Sequence, residues 1–227
     1  MGPLEVRADL ASKYLSGEGI EIGALNNPMP VPPTAFVRYV DRHSYETLRN
    51  QDFPELHASS IATVDIIDDA ETLATIPDAS LDFVIINHVI EHCKNTIKAL
   101  RTFWRVLKPG GLLFMTAPDK RYTFDRDRPL TTLEHIKEDD RENSPARDLA
   151  HYDEYVRLVD KVTDPKAYLA RMAYLLGINY SIHFHVWDWT SFSAMMDYVS
   201  TQLPMEIVVA QEDGQYENIF IIKKVVR

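Results

Sequence analysis

The sequence predicts an α/β protein with a doubly wound, seven-stranded, mostly parallel sheet that ends in an antiparallel hairpin and carries a helical insertion. Three observations support this prediction. Apolar strand-like runs alternate with helical patterns as far as residue 118, which is typical of parallel strands joined by right-handed crossovers. Residues 119–182 are instead polar, charged and mostly helical in pattern. The last two apolar runs, 206–210 and 218–226, are joined by a turn too short for a helical crossover, so they favour an antiparallel pair.

The first strand and the turn that leaves it are the reference point for the rest of the chain. Residues 19–22 carry β-branched side chains that favour a strand, and Gly23 lets the backbone turn tightly and approach a ligand closely. Asp41 ends the next apolar run, 36–40, and lies twenty positions after Glu21. An acid at that offset can accept hydrogen bonds from both hydroxyls of a ribose. The pattern predicts a nucleotide-like ligand, and an ordinary strand end with a turn glycine is the alternative.

Hydrophobic periodicity predicts the remaining elements. Further strands are expected at 63–67, 81–86 and 112–116, and a short extended segment at 182–186. The 81–86 run is almost continuously apolar, as a central strand buried on both faces requires. Helices are expected at 6–15, 45–56, 96–107, 132–141, 146–162, 165–176 and 191–201, the last with Thr190 as its N-cap. Four prolines between residues 28 and 33 exclude a helix after the first turn and predict a stiff loop.

Length and composition limit the function classes. A chain of 227 residues with 45% hydrophobic residues suits one α/β domain with an elaboration, or at most two small domains. The net charge of −10 argues against a nucleic-acid partner, which would need a basic face. Cys93 is the one cysteine, which excludes an intramolecular disulfide and a cysteine-based zinc site. Because no secretory leader or membrane-spanning apolar run is recognisable, we expect a cytoplasmic protein without a membrane span.

Five short motifs occur in order along about 110 residues: Glu21-Ile22-Gly23, Asp41, Asp69-Ala70-Glu71-Thr72-Leu73, Leu81-Asp82-Phe83-Val84-Ile85 with His88-Val89-Ile90-Glu91-His92, and Arg105-Val106-Leu107-Lys108-Pro109-Gly110-Gly111. This series resembles the class I S-adenosylmethionine-dependent methyltransferases. The resemblance implies a Rossmann-like fold, S-adenosylmethionine as the cofactor and methyl transfer as the activity. One departure is Gly23-Ala24-Leu25-Asn26-Asn27, where the family often reads Gly-x-Gly-x-Gly. The same departure counts against a nicotinamide oxidoreductase, whose pyrophosphate needs the full glycine-rich turn.

The resemblance also implies a division of the chain and a set of donor contacts. Residues 1–118 form the S-adenosylmethionine-binding core, residues 119–182 a helical insertion or lid that forms the acceptor site, and residues 183–227 the C-terminal part of the core sheet. The implied cofactor-binding residues are Glu21 and Gly23 near the methionyl part, Asp41 on the ribose, Asp69 and Ala70 on the adenine, and Asn87 facing the sulfonium.

Three candidate catalytic residues follow the fourth strand. His88, Glu91 and His92 have i, i+3, i+4 spacing and would share one face of a helix that begins at Asn87. They could supply a general base for a hydroxyl acceptor. They could also hold a divalent metal such as magnesium, as in relatives that read Glu-x-x-Glu-His, although a nitrogen donor in the first position suits magnesium less well. Alternatively, Glu91 and His92 cap the helix and fix the loop.

Candidate acceptor contacts lie in and after the insertion. Arg121, Tyr122 and Asp125 directly follow the fifth strand, where arginine beside aromatic rings suits a sugar, phosphate or carboxylate. Asp and Arg alternate in the run Asp125-Arg126-Asp127-Arg128, and this alternation is equally typical of a solvated salt-bridge ladder. His183 and His185 would share one side of an extended segment and could also contact the acceptor.

Residues 119–129 show a looser similarity to methyltransferases of polysaccharide and sugar-modifying pathways. It favours O-methylation of a saccharide or another polar small molecule. The alternative is a noncatalytic S-adenosylmethionine-binding regulatory protein on the same scaffold. A homodimer is compatible with the sequence.

Overall fold

A computed structural model of the chain describes residues 2–56, 60–142, 144–213 and 216–225. Its sheet contains seven strands: β1 (Gly17–Ile22), β2 (Ala35–Asp41), β3 (Ile66–Ile67), β4 (Leu81–Asn87), β5 (Leu107–Pro118), β6 (Met205–Glu212) and β7 (Glu217–Lys224). The strand order across the sheet is β3-β2-β1-β4-β5-β7-β6. The neighbouring strands in the β3-β2-β1-β4-β5 part of the sheet are parallel to one another. Strand β7 is antiparallel to both β5 and β6. The predicted fold class is therefore confirmed.

Helices flank the sheet and make up the insertion. The described α-helices are α1 (Pro3–Tyr14), α2 (Tyr45–Thr47), α3 (Thr96–Val106), α4 (Leu133–Glu142), α5 (Pro145–Leu158), α6 (Pro165–Gly177) and α7 (Trp189–Gln202). A π-helical turn, Leu48–Asp52, continues α2, and short 3-10 turns occur at Ile90–His92 and Lys120–Tyr122. Helices α4, α5 and α6 all belong to the insertion that follows β5. None of the helices within these described ranges combines the length and the apolar character needed to cross a bilayer.

Several element boundaries differ from the predictions. The helix expected over 45–56 is only one α-turn followed by the π-turn, and β3 contains two residues instead of five. Asp188 caps α7 in place of Thr190, since its carboxylate accepts a 2.8 Å hydrogen bond from the Ser191 amide. Residues 182–186 form no strand, and only an isolated bridge joins Trp187 to Asp119. Residue 226 of the last predicted strand and residues 214–215 of its turn lie outside the described residues.

The middle of the sheet is buried on both faces. Phe83, Val84, Ile85 and Ile86 of β4 have no exposed surface, as the continuous apolar run predicts. On one face α3 and α7 contribute Phe103, Phe192 and Met196 to the core, and on the other α1 contributes Leu10 and Ala11. Gly19 is needed for this packing, because a Cβ there would lie 2.3 Å from the Phe83 ring.

A third apolar cluster lies within the insertion. Tyr152, Val156 and Leu175 of α5 and α6 pack against Ile182 and Phe184 of the segment that returns to the sheet. The Phe184 amide donates a 2.7 Å hydrogen bond to the Glu91 carbonyl, which attaches this segment to the loop after β4. The insertion thus has its own small core and is attached near the carboxyl edge of the sheet.

Candidate active site

A cleft of about 460 Å³ opens at the carboxyl ends of β1 and β4. The strand order reverses between these two strands, and in open α/β sheets ligands bind at such a switch point. The residues that line the cleft come from α1, the turns after β1 and β4, the end of β5 and the start of β7: Pro3, Leu4, Arg7, Glu21, Gly23, Ala24, Leu25, Asn26, Asn27, Asn87, His88, Pro118, Tyr122, Thr123, Tyr216 and Glu217.

Gly23 and Asp41 stand side by side at this edge. β1 and β2 pair in parallel with Ile22 opposite Val40, and the Gly23 amide donates a 2.9 Å hydrogen bond to the Val40 carbonyl. Gly23 has a φ of +67°, and a Cβ on it would lie 3.1 Å from Val89 Cγ2, so the turn requires glycine. Burial raises the pKa of Asp41, opposed by hydrogen bonds from the amides of residues 42 and 43. The bend and Asp41 therefore end two adjacent parallel strands, although Asp41 itself is not among the residues that line the cleft.

The loop after β3 lies next to Asp41. The Asp68 amide donates a 3.0 Å hydrogen bond to the Asp41 carbonyl, and the Asp68 carboxylate accepts from the amides of Ala74 and Thr75. Asp69 Oδ1 accepts a 2.8 Å hydrogen bond from the Glu71 amide. These bonds hold the two implied adenine contacts, Asp69 and Ala70, at the same sheet edge as Asp41.

Glu21 anchors the proline-rich loop. Its side chain is buried, and both carboxylate oxygens accept from the Met29 amide, at 3.1 and 3.0 Å. Asn87 Nδ2 donates to Glu21 Oε1 at 3.4 Å. Burial raises the pKa of Glu21 to about 7 although these hydrogen bonds act in the opposite direction. The carboxylate thus fixes the unusual loop against the end of β1 while remaining part of the cleft wall.

Arg7, Glu217 and His88 form a hydrogen-bonded chain that the sequence does not reveal. Glu217 Oε1 accepts a 2.9 Å bond from Arg7 Nε, and Glu217 Oε2 contacts both Arg7 Nη2 and, at 2.8 Å, His88 Nε2. Burial acts to raise the pKa of Glu217, but the hydrogen bonds from Arg7 and His88 lower it to about 2. The His88 side chain is 41% exposed and borders the cleft. An anionic carboxylate therefore orients an accessible imidazole.

The predicted shared face of His88, Glu91 and His92 is wrong. No helix begins at Asn87, because His88 has a left-handed backbone with φ +55° and only the 3-10 turn Ile90–His92 follows. His88 points to Glu217, whereas Glu91 is fully buried and His92 Nδ1 lies 2.9 Å from the Ile182 carbonyl. The three side chains thus belong to two different sites.

Glu91 and His92 instead form a group with His183. Donor atoms of the three residues lie within 4.8 Å of one another. Both carboxylate oxygens of Glu91 are buried and lack a hydrogen-bond partner among the described residues. His183 Nδ1 lies 2.6 Å from Asp125 Oδ2, and burial lowers the pKa of His92. Two imidazoles and one carboxylate suit a transition-metal ion, but they do not fit magnesium, which prefers oxygen donors.

The predicted acceptor residues have different environments. Arg121 binds Asp119 and reaches Glu212 at 3.1 Å, which is the pattern of a salt-bridge ladder. Asp125 is buried and pairs with Arg128 at 2.8 Å. Tyr122 is half-exposed on the cleft wall, and its ring lies 6.0 Å from that of Tyr216, centroid to centroid. Of these, Tyr122 has the surface that an acceptor could contact.

His185 requires a correction. It has no exposed surface, so the predicted contact with an acceptor is wrong. It also does not share a side with His183, since residues 182–186 are not a strand and the alternation expected for one does not apply. His183 lies beside Asp125 and Glu91, whereas His185 packs with His135, Asp139 and His151. The two histidines thus belong to separate clusters.

Known proteins match a central segment of the chain, which contributes Asn87 and His88 to the cleft lining. The family described as "Methyltransferase domain" matches residues 37–115. A curated protein of Mycolicibacterium smegmatis named "Probable S-adenosylmethionine-dependent methyltransferase" is 40% identical over 65 residues. That stretch covers 28% of this chain and only 24% of the relative, so the similarity is confined to one segment of each protein.

Solved structures share the fold along nearly the whole chain. A methyltransferase structure from Aquifex aeolicus has a TM-score of 0.53 at 12% identity, covering 98% of this chain and 90% of its own. One from Methanosarcina mazei has a TM-score of 0.51 at 14% identity, covering 100% and 99%. A structure from Rhodobacter sphaeroides described as a Zn-dependent alcohol dehydrogenase has a TM-score of 0.57 at 15% identity, covering 98% and 89%.

At these identities the similarity to solved structures shows the Rossmann-like fold alone. It does not distinguish binding of S-adenosylmethionine from binding of a nicotinamide cofactor. The methyltransferase-domain match favours S-adenosylmethionine, and it runs from within β2 to within β5, so it includes Asp41 and the turn after β4. In this segment the chain is thus similar to S-adenosylmethionine-dependent methyltransferases, and its sheet order is that of a Rossmann-like fold.

Proposed function

We propose that the protein transfers a methyl group from S-adenosylmethionine to a hydroxyl oxygen of a saccharide or a similar polar small molecule. The observation that carries the proposal is the cleft at the switch point between β1 and β4, with the Gly23 bend in its wall and Asp41 at the end of the adjacent strand β2. In this arrangement the donor's ribose binds Asp41, its adenine meets the Asp69 and Ala70 loop, and its sulfonium lies near Asn87.

His88 is the proposed general base. Its Nε2 lies 2.8 Å from the Glu217 carboxylate, so the Nδ1 of the same ring would accept the hydroxyl proton as the oxygen attacks the methyl carbon. The protonated ring is then stabilised by Glu217, whose negative charge Arg7 holds in place. Because the sulfonium is already an activated donor, positioning of the two reactants supplies much of the remaining catalysis.

The cleft wall supports a polar acceptor with an apolar face. Tyr122 and Tyr216 are each about half-exposed (53% and 50%) and stand edge to face, which leaves aromatic surface for the ring of a sugar. Thr123 lies between the tyrosines and the Asp125 group, since its hydroxyl donates to Asp125 Oδ2 at 3.1 Å. We propose that the insertion, 119–182, supplies this acceptor site over the donor-binding core.

A metal-assisted variant of the same reaction would use the second group of donors. Glu91, His92 and His183 would hold a transition-metal ion, which would supply a Lewis acid for an acceptor oxygen. The unpartnered Glu91 carboxylate favours a cation in this group, as far as the described residues show. The proposed O-methylation by His88 does not require that ion, and addition of a chelator separates the two variants.

The test combines donor binding with turnover. Calorimetry with S-adenosylmethionine and with its demethylated product should show binding. Labelled donor incubated with sugars, phenols and nucleotides, with and without magnesium and EDTA, should reveal the acceptor class. The variant H88Q should keep the donor affinity but lose about 10²- to 10⁴-fold in kcat, because it lacks the base.

The control variant is D78N, since Asp78 is exposed, pairs with Arg105 outside the cleft lining and should leave kcat unchanged. Failure to bind either form of the donor would defeat the proposal. Donor binding without turnover on any acceptor would support the noncatalytic regulatory alternative. Full activity of H88Q would reject His88 as the base, and loss of activity in EDTA would favour the metal-assisted variant.

A further inference from the structure

Three elements bring four potential metal ligands together away from the cleft. His135 and Asp139 lie four residues apart on α4, His151 lies on α5, and His185 lies in the segment that precedes α7. The i, i+4 spacing puts the first two on one helix face. The Asp139 side chain is 4% exposed, that of His151 6%, and His185 is fully buried. None of the four lines the cleft.

Most of the known distances between their donor atoms are close to those of a tetrahedral site. Asp139 Oδ2 lies 3.2 Å from His135 Nε2, 3.4 Å from His151 Nε2 and 3.8 Å from His185 Nε2. The Nε2 atoms of His135 and His151 are 3.4 Å apart. With metal–ligand bonds of about 2.0–2.1 Å, two ligands of tetrahedral Zn²⁺ are separated by roughly 3.3–3.4 Å. Three of these four distances therefore need almost no adjustment, whereas His185 Nε2 lies farther from Asp139 Oδ2 and must move closer to ligate the same ion.

Hydrogen bonding within the described residues does not satisfy this group. Asp139 Oδ2 is buried and faces imidazole nitrogens at 3.2 and 3.4 Å, but neither contact has the angles of a good hydrogen bond, and His185 Nδ1 is buried without a partner among the described residues. Buried polar atoms with poorly formed hydrogen bonds are costly. A cation at the centre of the four donor atoms would remove this cost for the carboxylate.

The surroundings resemble the outer shell of a metal site. Arg147 Nε donates to the other carboxylate oxygen, Asp139 Oδ1, at 2.6 Å, and Arg147 Nη2 donates to the His135 carbonyl at 3.2 Å. Such outer contacts orient ligating side chains. Without metal, His185 Nε2 lies 3.3 Å from the Lys94 carbonyl, and metal binding would replace that contact.

We propose that His135, Asp139, His151 and His185 bind one structural Zn²⁺ that fastens the helical insertion to the segment returning to the sheet. Three imidazoles and one carboxylate form a donor set that suits zinc and not magnesium or calcium. Because the protein supplies all four ligands, no coordination position is left for a substrate. His185 is two residues from His183, so the ion also fixes the backbone beside Asp125. This inference does not depend on the proposed methyl transfer.

The test uses untagged full-length protein and the metal alone. Elemental analysis after dialysis against added Zn²⁺ should give one tightly bound ion per chain, and heat denaturation should shift upward with zinc. Replacement by Co²⁺ should give the strong visible absorption of a tetrahedral site. The variants H151Q and D139N should weaken zinc binding at least about 100-fold, which exceeds the usual effect of losing an outer-shell contact.

Two control variants isolate the site. H43Q changes an exposed histidine outside the group, and H92Q removes a member of the Glu91 group, so both should keep the tight ion and the cobalt spectrum. Equal binding by wild type and H151Q, loss of the ion in H92Q alone, or no binding of added zinc would overturn the inference. If H151Q fails to fold, the cobalt spectrum of the wild-type protein decides, since an octahedral spectrum or none would reject the site.

Discussion

Replacement of Glu217 by glutamine should destabilise the fold measurably, because it removes the negative charge between Arg7 and His88. The side chains of Glu217 and Arg7 are 1% and 9% exposed, so little solvent screens their interaction. Lowering the pKa of Glu217 from 4.5 to about 2 corresponds to about 3 kcal/mol of folding free energy at neutral pH. Breaking a buried pair by removing one partner costs a similar amount, about 3–5 kcal/mol, since the other charge is left unpaired.

The stabilising effect of the Glu217 carboxylate should decrease as the pH falls. A carboxyl whose pKa is lower in the folded state stabilises the fold fully above its unfolded value of 4.5. That stabilisation is lost as the pH falls from about 4.5 to about 2. The E217Q variant has no such carboxyl, so its free energy of unfolding should change less than that of the wild type over this range.

Urea denaturation followed by circular dichroism measures both effects. At pH 7 we expect E217Q to lose about 3 kcal/mol in the free energy of unfolding. The matched control is E212Q, because Glu212 pairs with Arg121 on the surface, where such pairs contribute at most about 1 kcal/mol. A loss in E217Q no larger than that in E212Q would refute the assignment of a buried, charged chain behind His88.

Three further predictions concern β1 and its neighbours. Burial raises the pKa of Glu21 to about 7, so the free energy of unfolding should fall as the pH rises from about 4.5 to about 7. The variant E21Q should not show this fall. At pH 8 its free energy of unfolding in urea titrations should exceed that of the wild type by up to about 3 kcal/mol. D41N should raise the Kd for S-adenosylmethionine about 10- to 100-fold in calorimetry, since it weakens two charge-assisted hydrogen bonds to the ribose. G23A should cost about 1–2 kcal/mol in unfolding free energy and weaken donor binding, because its φ is +67° and Val89 lies in the way.

Each of these has its own contrary result. If the free energy of unfolding had the same pH dependence in E21Q and the wild type, Glu21 would not take up a proton on folding. Unchanged donor affinity in D41N would reject the ribose contact. For G23A the control is G177A at the end of α6, where a Cβ meets nothing within 4 Å, so alanine should stabilise by roughly 0.5–1 kcal/mol. Equal effects of the two substitutions would contradict the strained turn.

The sheet could be predicted from local sequence because its signals are local. The apolar run 81–86 can only be buried on both faces, and the short link between β6 and β7 requires an antiparallel pair. Proline and glycine mark the turns around it. The cap of α7 is also encoded locally, since Asp188 stands three residues before Ser191 and forms a capping box with it.

The site could be predicted only where strand order fixes it. Gly23 and Asp41 follow adjacent parallel strands, so their proximity is a consequence of topology. Glu217 was not predictable, because it meets His88 across 129 positions of sequence and Arg7 across 210. The prediction for His185 is wrong because residues 182–186 are not a strand, so side chains two positions apart need not face the same side. Its burial depends on how α4 and α5 pack, which single-residue patterns do not encode.

The contact between Arg7 and Glu217 also has a consequence for biosynthesis. The two residues are 210 positions apart, so one wall of the cleft stays incomplete until β7 has been synthesised. Contacts of such long sequence separation form late and slow the overall folding rate. Premature termination before β7 would therefore leave a cation without its counter-charge and a pocket without the group that orients its histidine.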